Sequence, residues 1–169
     1  MKIIIKYLFI IVLLVTLNRC TVQYSMGGAN IEPDVETISI KDFPNRAPRG
    51  PANFENYFTN ELKDKFQSQT RLTLVGRNGD LDLSGEITDY NTKPVAVGGD
   101  ETASETRLTI TVHVVFINAK HPDDNFDTSF SQYEDFDASQ NLSSVEDELI
   151  KNITEKIVQD IFNKAVVNW

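Results

Sequence analysis

Few residues in this 169-residue chain are of types that do chemistry: one cysteine, two histidines, a spaced run of acids and a handful of loop cations. The cysteine, Cys20, can close no intrachain disulfide and no Cys-rich zinc site. It stands three residues after the end of Tyr7 to Leu17, a run that is apolar apart from Thr16, with Lys2 and Lys6 ahead of it. That run is shorter than the ~20 residues a membrane-spanning helix needs. A basic start followed by a short apolar core is the pattern of a secretory signal. Leu17-Asn18-Arg19-Cys20 places Leu three residues before the cysteine, the layout of a bacterial lipobox, although Asn18 and Arg19 stand where small residues are usual. Residues 1–19 are therefore expected to be a signal peptide and Cys20 a lipidation site. Acyl chains there would hold the protein to a membrane, each buried CH₂ contributing ~0.8 kcal/mol.

The other candidates are weaker. Asp123, Asn125, Asp127, Ser129, Ser131 and Glu134 stand at positions 1, 3, 5, 7, 9 and 12 of a calcium loop. The sixth place is Thr128 where the sharp turn requires Gly, and Phe126, Phe130 and Tyr133 are spaced for a strand. No metal site is expected. His113 sits mid-strand and His121 in a turn; a hydrolase would have to use one of them. No nucleophile elbow, His-Glu-x-x-His or phosphate loop accompanies either one. The expectation is a non-enzyme without cofactor. Arg46, Arg49, Arg77 and Lys93 are loop cations. Arg77 falls in a hairpin turn and Lys93 in the next loop, so both ends could point the same way toward one anion. Arg77 and Lys93 are the candidate ligand contacts.

The elements that must position these residues are legible from periodicity. Val35 to Phe43 alternates as a strand, with Ile38 and Ile40 on one side. Asn53 to Gln69 places Phe54, Tyr57, Phe58, Leu62 and Phe66 on one helical stripe, with Asn53 as the expected cap. Arg71 to Val75 is a short strand, and Asn78-Gly79 predicts a hairpin into the strand Leu81 to Tyr90. Gly85 in that strand predicts a bulge or the close approach of a helix. Asn91 to Ser104, with Pro94, Gly98 and Gly99, predicts a long mobile loop. Arg107 to Asn118 alternates most regularly and pairs through the turn His121 to Asn125 with Phe126 to Phe136. Ser143 to Trp169 predicts a second helix, opened by a Ser143–Glu146 capping box and braced by the pairs Asp147–Lys151 and Asp160–Lys164. Residues 20–33 form a tether and 34–169 one domain. Its fold class is α+β: a two-layer sandwich of two amphipathic helices on a mostly antiparallel sheet of four to five strands.

Composition agrees with a folded body of this kind, at 40% hydrophobic and 24% charged residues. A net charge of −9 repels nucleic acid. Removing residues 1–19 takes away Lys2, Lys6 and Arg19 and no acid, so the remainder is more acidic still.

The wording of the chain resembles the LptE family. The matching stretches are Tyr24-Ser25 with Gly28-Ala29; Thr37 to Ile40 with Phe43 and Asn45; Phe58-Thr59 with Leu62; Gln69-Thr70; Gly79-Asp80-Leu81 with Gly85, Ile87 and Tyr90; Arg107 to Ile110 with Val112, Val114, Phe116 and Asn118; Ser129 to Ser131 with Tyr133, Asp135 and Phe136; and Asp160 to Asn163 with Asn168-Trp169. The resemblance implies an outer-membrane lipoprotein on the periplasmic side that assists lipopolysaccharide assembly. Its implied partners are an LptD-type β-barrel, which it plugs, and lipopolysaccharide, which it contacts. The other expectation kept open is a periplasm-facing lipoprotein that binds a lipid or glycan without a barrel.

Overall fold

The strand with the cleanest alternation lies inside the sheet. In a computed structural model describing residues 31–95 and 105–167, the strands are β1 (Thr37–Ile40), β2 (Thr73–Val75), β3 (Leu81–Val95), β4 (Glu105–Asn118) and β5 (Phe126–Asp137). The helices are α1 (Phe54–Gln69) and α2 (Leu142–Phe162), the latter continued by a π-helical turn, Asn163–Val167. One sheet of order β2-β1-β3-β4-β5 forms the first layer. β1 runs parallel to both its neighbours, and the β3–β4 and β4–β5 pairings are antiparallel. The two helices form the second layer, so the α+β sandwich is the observed architecture.

The core lies between the layers. Leu108, Ile110, Val112, Val114 and Phe116 of β4 are buried, as are Phe54, Phe58, Leu62 and Phe66 of α1 and Leu149, Ile153, Ile157 and Ile161 of α2. Each such side chain contributes about 1.5–3 kcal/mol on burial. Phe43 packs on Phe58 at 5.4 Å between centroids, and Phe66 on Phe162 at 5.3 Å. Thr154, wholly buried on α2, has a hydroxyl without a hydrogen-bond partner.

The predicted hairpin at Asn78-Gly79 does not form. β1 lies between β2 and β3, with Ile38 in register with Leu74 on one side and Leu81 on the other. Residues 76–80 therefore cross over β1. Asn78 does take a left-handed backbone, with φ 56°, but its turn serves the crossing. Gly79 makes the crossing possible: a Cβ there would stand 2.5 Å from the Ser39 nitrogen. The Gly79 amide donates to Ser39 Oγ at 3.1 Å, and Ser39 is fully buried beneath the loop.

Gly85 is tight for a reason other than a helix. A Cβ there would lie 2.1 Å from the His113 carbonyl oxygen and 2.6 Å from the Phe43 ring, while the bulge falls later, between Ile87 and Asp89. Part of the predicted loop is strand: Asn91 to Val95 continue β3, with Pro94 opposite Thr106. Proline is tolerated there because, among the described residues, no strand pairs with that side of β3 beyond the bridge of Asn45 to Ile87. Residues 96–104 lie outside the described residues.

Neither predicted cap is used. Asn53 makes no side-chain cap bond. α2 starts one residue before Ser143, and the Glu146 carboxylate accepts the Tyr90 hydroxyl at 2.5 Å instead of reaching back to a cap. The helix pairs differ as well. Lys151 turns to Glu155 at 4.0 Å, Asp160 accepts from Gln132, and Lys164 sits 5.2 Å from the Phe126 ring centroid.

Candidate functional site

Alternation along β3, β4 and β5 sends every second side chain away from the helices. That open face presents Glu86, Asn91 and Lys93 from β3, Arg107, Thr109, Thr111, His113, Val115 and Ile117 from β4, and Asp127, Ser129, Ser131, Tyr133 and Asp135 from β5. Ile117 and Tyr133, exposed at 45% and 47%, are the large hydrophobic side chains that face solvent among the described residues. The surface is mostly hydroxyl, amide and paired charge.

At one end the register places Lys93, Arg107 and Asp135 in a row across three strands. Arg107 donates from Nε and Nη2 to the two Asp135 oxygens, each at 2.8 Å, and its guanidinium carbon lies 3.6 Å from the Tyr133 ring centroid. The bidentate bond raises the Arg107 pKa and lowers that of Asp135. This stack is not evident from the amino acids one at a time. The signal was the hairpin register, since a turn at 121–125 pairs 107 with 135.

Midway along the face, His113 Nε2 meets Asp127 at 2.6 Å. At the turn end, His121 Nε2 meets Asp34 at 3.1 Å, which raises the histidine pKa and lowers that of the acid. Both histidines are thus engaged by carboxylates at the edge of solvent. The calcium-loop spacing is spread along a strand: Asp127 faces the open side, whereas Glu134 lies on the helix side bonded to Lys156. Among the described residues, no group of three potential metal ligands gathers.

Arg77 and Lys93 are not brought together. They flank opposite ends of β3, because Arg77 lies in the connection before Leu81 and the strand then runs unbroken through Lys93. At roughly 3.3 Å per residue they are on the order of 40 Å apart, too far for one phosphate or sugar to touch both. Both are exposed. Cys20 lies outside the described residues.

Two open grooves run where the helices meet the edges of the sheet. One, of about 480 Å³, is lined by Ile40, Lys41, Asp42, Lys63 and residues 74–76. The other, of about 500 Å³, lies between β5 and α2. Among the described residues no helix is long and apolar enough to cross a membrane.

A family model described as lipopolysaccharide-assembly LptE matches residues 35–165, from the start of the sheet to the end of α2. The chain belongs to the LptE family. The family is one of non-enzymatic lipoproteins of lipopolysaccharide assembly in the Gram-negative envelope. The LptE fold is also seen in solved structures. A hypothetical protein from Chlamydia trachomatis is similar with a TM-score of 0.55 at 10% identity, over 78% of this chain and 98% of that one. Lipoprotein B from Nitrosomonas europaea is similar with a TM-score of 0.53 at 15% identity, over 83% and 86%. Rare lipoprotein B from Shewanella oneidensis is similar with a TM-score of 0.51 at 9% identity, over 76% and 90%. No curated protein matches the chain.

Proposed function

We propose that this LptE-family protein is an outer-membrane lipoprotein that acts on the periplasmic side as the plug and assembly partner of an LptD-type β-barrel, and that it contacts lipopolysaccharide. The observation that carries this reading is the family match, which extends across the whole sandwich. The open face supports it. Thr109, Thr111, Ser129 and Ser131 line a surface that can hydrogen-bond to the polar lumen of a large barrel. Acyl chains on Cys20 would hold the domain at the membrane and raise its concentration near its partner. Arg77 and Lys93 would serve as two separate contacts for anionic groups. None of these roles needs a reacting side chain.

A tagged chain pulled from outer membranes is expected to bring down a large β-barrel, and depletion is expected to lower surface lipopolysaccharide. Recovery without a barrel, with lipopolysaccharide unchanged on depletion, would overturn the proposal. For the anchor, labelled palmitate is expected in the wild type and absent from Cys20→Ala; equal labelling would reject Cys20 as the site.

A further inference from the structure

Among the described residues, the outer edge of β5 is an unbroken run of backbone with no strand beside it. β5 is the last strand in the order and spans Phe126–Asp137, against three residues in β2 at the opposite edge. Which β5 groups face outward follows from β4. The Asn118 amide points toward the β5 side, at Asn125 Oδ1, and the next amide, Ala119, points back to Asp80 beside β3. Even-numbered β4 residues thus bond toward β5. Through the register Phe116↔Phe126, even-numbered β5 residues complete that ladder. The odd-numbered ones, Asp127 through Asp135, direct their N–H and C=O groups away from the sheet.

Beside this edge runs the 500 Å³ groove, lined by Gln132 and Glu134 of β5 and by Asn152, Glu155, Lys156, Gln159 and Asp160 of α2. Three of these are acids and one is a base. That base shows what the place accepts. Lys156 Nζ lies 2.7 Å from Glu134 Oε1 and 3.5 Å from the Tyr133 carbonyl, an outward-facing acceptor. An ammonium group already occupies the acidic end of the edge and shields it, as lysines do on edges that must not pair indiscriminately.

We propose that β5 is a docking edge for an extended segment of another polypeptide, added as an antiparallel or parallel sixth strand. Its backbone bonds the odd-numbered β5 groups, and its alternate side chains, Lys or Arg, enter the groove against Glu134, Glu155 and Asp160. Edge addition beside a helix draws affinity from the ladder and specificity from the groove. Here the groove selects cations, and Lys156 must swing aside to admit the strand.

The test uses the full chain and a fluorescein-labelled ten-residue peptide of alternating Thr and Lys, read by anisotropy and by amide exchange across residues 126–137. The peptide is expected to bind roughly ten-fold tighter than its Thr–Glu counterpart and to slow exchange at Ser129, Ser131 and Tyr133. Ser131→Pro deletes an outward N–H and leaves the even-numbered ladder intact, so it is expected to weaken binding about ten-fold at an unchanged melting temperature. Methylating alternate backbone nitrogens of the peptide keeps its charge and removes its ladder, and is expected to abolish binding whatever the stability of the variant. Equal affinity for the two peptides, unaltered exchange along β5, or retained binding of the methylated peptide would each overturn the proposal. So would sedimentation showing a dimer of this chain that Ser131→Pro dissociates, since the edge would then belong to a second copy.

Discussion

Asp80 does more for the fold than its place in a turn suggests. Its Oδ2 accepts the backbone amides of Glu36 and Thr37, each at 3.0 Å, and the Thr37 hydroxyl at 2.8 Å. Those bonds hold its pKa at about 2, against an ordinary 3.8. A depressed carboxylate stabilises the folded state fully above its unfolded value and loses that contribution as pH falls through its folded one. Asp80→Asn is therefore expected to be less stable than wild type at neutral pH, with the difference shrinking between pH 4 and pH 2; acid unfolding followed by circular dichroism measures it. Thr154 is the converse case, a buried hydroxyl without a partner. Thr154→Val is expected to raise stability by about 1 kcal/mol in denaturant titration. Neither residue was conspicuous in the sequence. Gly-Arg-Asn-Gly-Asp announces a turn, but which distant amides its aspartate will meet depends on a strand that pairs some forty residues away in the register.

At the level of elements, what could be foreseen was periodic. The alternation of Arg107 to Asn118 and the stripe Phe54, Phe58, Leu62 and Phe66 are repeats of a local geometry, and both packed as expected. The hairpin at Asn78-Gly79 failed because turn chemistry governs how the backbone bends and not which strand receives it. The capping box failed because Glu146 is taken by Tyr90, whose hydroxyl is desolvated and whose pKa is pushed well up by burial and by that carboxylate. Gly85 is the most exacting position in the sheet. Gly85→Ala would drive a methyl into the His113 carbonyl, a backbone atom held on both sides by strands, and is expected to cost about 3 kcal/mol in equilibrium unfolding. Gly76, where a Cβ meets nothing within 4 Å, provides the control; Gly76→Ala is expected to change stability by less than about 0.5 kcal/mol.

For the molecule as a whole, the family could be read from scattered short matches because the sandwich repeats the same order of elements. The surface chemistry could not. Arg77 and Lys93 stand at opposite ends of β3 because that strand runs unbroken from Leu81 to Val95, a length that a hairpin with β2 would not have changed. The strand β1, interposed between β2 and β3, has a kinetic meaning. The β4–β5 pairing closes over a short turn, whereas Thr37 must find Thr73 and Ile38 must find Leu81. Loop-closure entropy makes the first rapid and the second slow. A ribosome emits β1 before either of its neighbours exists, so this segment waits longest for a home. In pulse-labelled refolding, the Ile38 and Ser39 amides are expected to gain protection after those of Val112 and Val114, and the crossing at Gly79 acts as the latch that closes last.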